Sequence, residues 1–154
     1  MYKVRVPATT ANLGSGFDCF GMALSVYNEI EAELFGTSLA IDIQGEGANR
    51  LSKDESNLVY RGIMRVLKEA GVKVTGLRLK LINGIPLESG LGSSASAIVG
   101  GLLLGNCIAG NALDMEEILT LAVDIEGHPD NVVPALLGGF TISCMNEDSS
   151  VVHV

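Results

Sequence analysis

The segment Pro86-Leu87-Glu88-Ser89-Gly90-Leu91-Gly92-Ser93-Ser94-Ala95 gathers small residues and hydroxyls between an alternating apolar run and a long apolar one. Gly90 and Gly92 remove side chains where an oxyanion would approach the backbone. Ser93, Ser94 and the amides of a helix starting there aim donors the same way, and the helix dipole adds partial positive charge. This is chemistry suited to a phosphate. Taken by themselves, the same residues also fit an ordinary glycine turn with serine caps. A Walker loop needs G-x-x-x-x-G-K-[ST], and the segment contains no lysine. Gly90, Gly92 and Ala95 satisfy G-x-G-x-x-A formally, but that fingerprint follows its strand directly. Here Asn83 to Ser89 intervene, and no second strand ending in an acid follows.

Two other segments carry polar side chains among small residues. Val6-Pro7-Ala8-Thr9-Thr10-Ala11-Asn12-Leu13-Gly14-Ser15-Gly16-Phe17-Asp18 could fold closely around a ligand. Asn12 supplies a donor and an acceptor, and Asp18 a negative charge; a glycine turn with local Asx bonds is the alternative. In Glu126-Gly127-His128-Pro129-Asp130-Asn131, a histidine between turn residues stands at the opening of a helix, with a carboxylate two residues on.

The elements that must position these segments are legible from periodicity. Tyr2, Val4 and Val6 alternate with Lys3 and Arg5 as a strand. Ile30, Ala32 and Leu34, then Leu39, Ile41 and Ile43 across Phe35-Gly36-Thr37-Ser38, predict a hairpin with one wet face. Val59, Ile63, Val66, Leu67 and Ala70 keep helical spacing up to Gly71. Leu77, Leu79 and Leu81 form a strand, and a long apolar helix starts near Ser93. Asp114 and Glu117 fit a capping box for a helix closed by Gly127. A short helix from about Asn131 ends at Gly138-Gly139, and Phe140, Ile142 and Cys144 make a last strand. This order predicts an α+β domain with helices collected on one sheet face. A further alternating segment starts at Val151. The expected division is a domain over 1–146, with 147–154 opening another domain that the chain does not contain.

The 154 residues are 47% hydrophobic and 18% charged, which fits a globular domain with its own core. A formal net charge of −8 argues against a general nucleic-acid binder. Ala95 to Ala112 is the most apolar stretch, but its glycines and asparagines predict a buried core helix and no membrane span. Met1 to Arg5 starts as a strand and does not read as a signal peptide. Cys19, Cys107 and Cys144 make no metal-type pair and are expected as reduced, mostly buried thiols in a cytoplasmic protein.

The glycine–serine segment resembles the central motif of the GHMP kinases, P-x-x-x-G-L-G-S-S-A, at every specified position. The first segment is similar to the opening motif of that superfamily, in the form Asn-Leu-Gly-x-Gly-Phe-Asp typical of its homoserine-kinase branch. The segment around Asp130 resembles that branch too. The likeness implies the ribosomal protein S5 domain 2-like fold, with a mixed or antiparallel sheet. It implies ATP binding by Pro86, Leu87, Glu88, Ser89, Gly90, Leu91, Gly92, Ser93, Ser94 and Ala95, with Gly90 to Ala95 around the triphosphate. Asn57 is implied, less directly, in the adenine pocket. Ser94 is implied as a ligand of Mg2+. The second metal ligand is expected at the place of Thr120, with Glu117, Asp124 and Glu126 nearby, and stays open. The substrate implied is L-homoserine, held by Asn12, Asp18, His128 and Asp130. Asp130 and Ser94 lie nearest the transferred group. The alternatives are another small-molecule kinase of the superfamily or a non-catalytic nucleotide- or RNA-binding module of the same fold. A homodimer is compatible with the resemblance.

Overall fold

The computed structural model describes residues 1–147 and 150–154. β1 (Tyr2–Ala11) runs antiparallel to a long β2 (Phe20–Leu34) along its whole length. A register shift between Pro7 and Ala8 re-aims the end of β1, so Thr9 is fully buried although Ala8 before it is too. β2 extends back to Phe20, well before the alternation at Ile30. Phe20–Met22 pairs with β5 (Phe140–Met145) and Asn28–Leu34 with β4 (Leu77–Asn83). β6 (Val151–His153) pairs antiparallel with β5. The expected boundary after residue 146 falls beside residues 148 and 149, which lie outside the described residues.

The predicted hairpin between Ile30–Leu34 and Leu39–Ile43 does not form. β4 lies between β2 and β3 (Leu39–Gly45), antiparallel to the first and parallel to the second. Alternation identified both strands but carries no information about neighbours. Leu77, Leu79 and Leu81 of β4 are all buried, and a strand between two others satisfies its backbone on both edges. α1 (Leu58–Glu69) belongs to the crossover that the parallel β3–β4 pair requires. The sheet is therefore mixed, six-stranded and ordered β3-β4-β2-β5-β6, with β1 on the free side of β2.

α2 (Ser93–Ile108), α3 (Met115–Glu126) and α4 (Pro129–Leu137) complete the helical layer. The Asp114–Glu117 capping box and the Gly127 stop occur as expected. α4 starts at Pro129, two residues earlier than the spacing suggested, because proline at the first helical position lacks only an amide that would have no partner anyway. The opposite sheet face is a charged ladder. Lys3 lies 2.7 Å from Glu29 and 3.3 Å from Glu31, and Arg5 stacks 3.6 Å over the Tyr27 ring. Hydrogen bonds to Glu29 and Glu31 hold the Lys3 ammonium above its ordinary pKa. The three thiols are free as expected, but Cys144 is exposed and the other two only partly covered, so none is a core residue. Among the described residues no helix is long and apolar enough to cross a membrane.

α2 forms the centre of the core, with Ile98, Val99, Leu102 and Leu104 each at most 1% exposed. It touches α1 almost backbone to backbone: a Cβ on Gly101 would overlap the Val59 carbonyl oxygen. Gly101→Ala should therefore destabilise the fold by roughly 1–3 kcal/mol through overpacking, although alanine is the better helix former by about 1 kcal/mol. Urea unfolding reads the sign. An unchanged or raised midpoint would show that the two helices separate without cost.

Candidate nucleotide and substrate site

The glycine–serine segment is held at both ends. At its entry, the buried Asn28 on β2 accepts hydrogen bonds through Oδ1 from the amides of Gly84 and Ile85, both at 3.1 Å. Ile85 is fully buried, and Ser89 Oγ donates to the Pro86 carbonyl at 2.9 Å. At its exit, Gly92 takes φ +64° and α2 begins without a side-chain cap. That differs from α1, capped by Asn57, and from α3, capped by Asp114. The leading amides of a helix have no intrahelical acceptors, so an uncapped first turn presents donors and dipole to whatever lies beyond it.

What lies beyond is a cleft of about 470 Å³ between the starts of α1 and α2. Asn57, Leu58, Leu81, Leu87, Ser93 and Ser94 are among its walls. Asn57 lines it, but its side chain is already engaged: Oδ1 accepts from the Val59 amide at 3.0 Å and Nδ2 donates to the Ser52 carbonyl at 2.7 Å. Its part in the cleft is to fix the start of α1.

Gly90 and Gly92 differ in what surrounds them. Nothing lies within 4 Å of a Cβ placed on Gly90, whereas one on Gly92 would overlap the Thr9 hydroxyl and come within 3.1 Å of Asn131 Oδ1. The need for glycine at 92 is thus set by packing inside the protein as well as by φ. Thr9 connects the two halves of the site. Its amide donates to the Leu91 carbonyl at 3.1 Å, and its hydroxyl donates to Asn131 Oδ1 at 2.8 Å.

At the first turn of α2, Ser94 Oγ donates to Glu126 Oε2 at 2.8 Å. The other residues considered for the second metal ligand are occupied elsewhere. Thr120 bonds back to the Glu116 carbonyl, Glu117 closes the capping box, and Asp124 lies 3.7 Å from Arg65. A hydroxyl and a carboxylate side by side, partly open to solvent, are the hard oxygen donors that Mg2+ accepts while keeping waters and phosphate oxygens as its remaining ligands.

On the other side of Thr9, Asp130 is 4% exposed at the start of α4. Asn12 Nδ2 donates to its Oδ2 and Asn131 Nδ2 to its Oδ1, each at 3.3 Å. Asn12 adopts φ +60°, and its Oδ1 accepts the Asp18 amide at 2.8 Å. The structure thus brings Asn12, Asp130 and Asn131 together. Asp18 joins through its backbone, and its carboxylate faces outward on an exposed residue. His128 is the exposed N-cap of α4 and makes no side-chain cap bond.

Comparison with known proteins places this arrangement in a family. Residues 57–139 match the GHMP kinases N terminal domain. The chain belongs to the GHMP kinases. It is 50% identical over 148 residues to a homoserine kinase of Carboxydothermus hydrogenoformans, covering 96% of this chain and 49% of that protein. It is 51% identical over 148 residues to one of Caldanaerobacter subterraneus, covering 96% and 47%. A homoserine kinase structure from Cytophaga hutchinsonii superposes with a TM-score of 0.81 at 34% identity, covering 97% of this chain and 50% of that one. An L. major mevalonate kinase shares the fold at a TM-score of 0.71 and 20% identity, covering 100% and 52%. The chain spans about half the length of the curated relatives it matches.

Thr9, Asn28 and Asn131 escaped assignment from sequence, and Glu126 was only one of several acids near the open metal position. Asn131 had a signal, since it stands beside Asp130 in the motif. Thr9 and Asn28 act through contacts far along the chain and left none. Thr9→Val keeps the shape that faces Gly92 and removes one buried hydrogen bond. It should lower stability by about 1 kcal/mol, read as a shift of the urea midpoint. An unchanged midpoint would mean that the tie between β1 and α4 is not held by this hydroxyl.

Proposed function

We propose that this chain is the nucleotide-binding half of a homoserine kinase, transferring the γ-phosphoryl group of ATP to the side-chain hydroxyl of L-homoserine. The products would be ADP and O-phospho-L-homoserine, on the route to threonine. The observation that carries this reading is the joint geometry of the two motifs. An uncapped helix start with the Ser94–Glu126 pair lies one residue, Thr9, away from a buried carboxylate flanked by two asparagines. The relatives that are half identical to this chain bear the same activity in their names.

In this reading the cleft takes the nucleoside and the amides of Gly90 to Ala95 hold the triphosphate. Ser94 and Glu126 hold Mg2+, which supplies neutralisation of charge on the phosphate oxygens. Asp130 pairs with the substrate ammonium, and Asn12 and Asn131 fix the rotamer of its carboxylate. Phosphoryl transfer asks little covalent chemistry of the protein, so alignment of the hydroxyl with the γ-phosphorus and preset charge supply the rate. A carboxylate paired with an ammonium is a weak base, and no general base is assigned. The homoserine carboxylate calls for a guanidinium fork or a set of amides. Arg5, the one basic residue beside the first motif, is turned onto Tyr27 and Glu29 on the far sheet face. That cation is expected from residues beyond this chain, in keeping with a domain over 1–146 that needs a partner domain.

Two experiments test the assignments. Ser94→Ala and Glu126→Gln should each weaken binding of ATP in the presence of magnesium and spare metal-free ATP, as followed by calorimetric titration. Equal losses in both conditions would remove them from the metal site. In the protein extended to the length of its relatives, Asp130→Asn should raise the homoserine KM by an amount equivalent to roughly 2–5 kcal/mol. Unchanged homoserine kinetics would reopen the choice of substrate.

A further inference from the structure

The nucleotide cleft contains an ion pair that neither motif explains. Arg50, in the turn after β3, donates through Nη2 to Glu88 Oε1 at 2.7 Å. The turn is closed by the Arg50 amide on the Gly47 carbonyl, and Gly47 packs so tightly on Leu87 that a Cβ there would lie 2.7 Å from Leu87 Cδ1. Arg50 and Glu88 therefore face each other across the cleft, which Ser93 and Ser94 also line. Arg50 is the one basic side chain among the described residues of that lining.

The pair stands in solvent, with side chains 60% and 77% exposed, and such pairs are held weakly and screened by salt. Glu88 itself sits at φ +55°, an uncommon conformation for a residue with a side chain. A carboxylate in the segment that would wrap a triphosphate repels it. A guanidinium at the same mouth matches phosphate oxygens with its planar fork better than it matches one carboxylate oxygen.

We propose that Arg50 is a phosphate-binding residue of the nucleotide site and that Glu88 is its resting partner, displaced when the nucleotide enters. This rests on the nucleotide reading given above and adds to it a ligand outside the glycine–serine motif. Arg50 then exchanges one anion for another, and Glu88 competes with the phosphates for it. The affinity of the cleft is set by the difference between the two pairings. Removing the two partners should consequently act in opposite directions, which a static strap across the cleft would not produce.

The test is titration of MgATP, MgADP and adenosine into the protein extended to the length of its relatives and into its Arg50→Gln, Arg50→Lys and Glu88→Gln variants, with circular dichroism melts confirming that these exposed variants remain folded. Arg50→Gln should weaken MgATP and MgADP about tenfold and adenosine by less than about twofold. Arg50→Lys should lie between, since it keeps charge without the fork. Glu88→Gln should tighten MgATP several-fold and leave adenosine unchanged. The proposal is overturned if Glu88→Gln weakens MgATP as Arg50→Gln does, or if Arg50→Gln weakens adenosine as much as MgATP. Wild-type binding with no effect of any variant would remove Arg50 alone. An extended wild-type protein that binds no nucleotide would remove the kinase reading together with it.

Discussion

The site depends on one crowded contact, where the Thr9 side chain, the bare Cα of Gly92 and the Asn131 amide meet. β1 supplies the first, the start of α2 the second and α4 the third. No room remains there for a Cβ, so the glycine–serine turn and the acid-bearing helix are packed against each other. The register shift at Pro7 and Ala8 is what turns Thr9 inward to make this contact. A local irregularity in the pairing of β1 with β2 thereby sets the spacing between two motifs that lie far apart in the chain.

Electrostatics follows from the same geometry. The chain carries a formal charge of −8, yet its phosphate-type segment needs no surplus of basic residues. Among the described residues, α1 and α3 spend first-turn amides on the side chains of Asn57 and Asp114, whereas α2 and α4 start without a side-chain cap. Backbone donors and a helix dipole thereby offer positive potential at the start of α2 in a chain that is acidic as a whole. The acids of α3 divide in the same way. Glu117 serves the helix and Asp124 an arginine, and Glu126, one residue before the Gly127 stop, reaches across to Ser94.

The elements were largely legible because burial imposes period 2 on the strands and period 3.6 on α1, and because Asp114, Gly71 and Gly127 mark ends by local chemistry. The glycine–serine segment and the Asp130 segment were legible as ordered motifs. Strand neighbours were not. Ile30–Leu34 and Leu39–Ile43 alternate as a hairpin would, and nothing local announces that Leu77–Asn83 comes between them. The pairing of Ser94 with Glu126 was hidden for a related reason. The family resemblance pointed to the place of Thr120, while the direction in which the last turn of α3 faces is fixed by its packing on α2.

The insertion of β4 also orders events during synthesis. β1 and β2 are sequence neighbours and can pair as soon as both have left the ribosome. β3 cannot: its hydrogen-bonding partner begins at Leu77, after α1 has been made. Until then β3 has no partner strand, and Ile41, Ile43 and the apolar side of α1, whose main neighbour α2 is made later still, are uncovered. The nascent chain therefore passes through a stage with an exposed strand edge and uncovered apolar surface, the condition in which chains associate with one another or with chaperones. The strand inserted between β2 and β3 is also the one that precedes the glycine–serine segment. The half-made chain consequently acquires its glycine–serine turn only after the partner strand of β3 has been made.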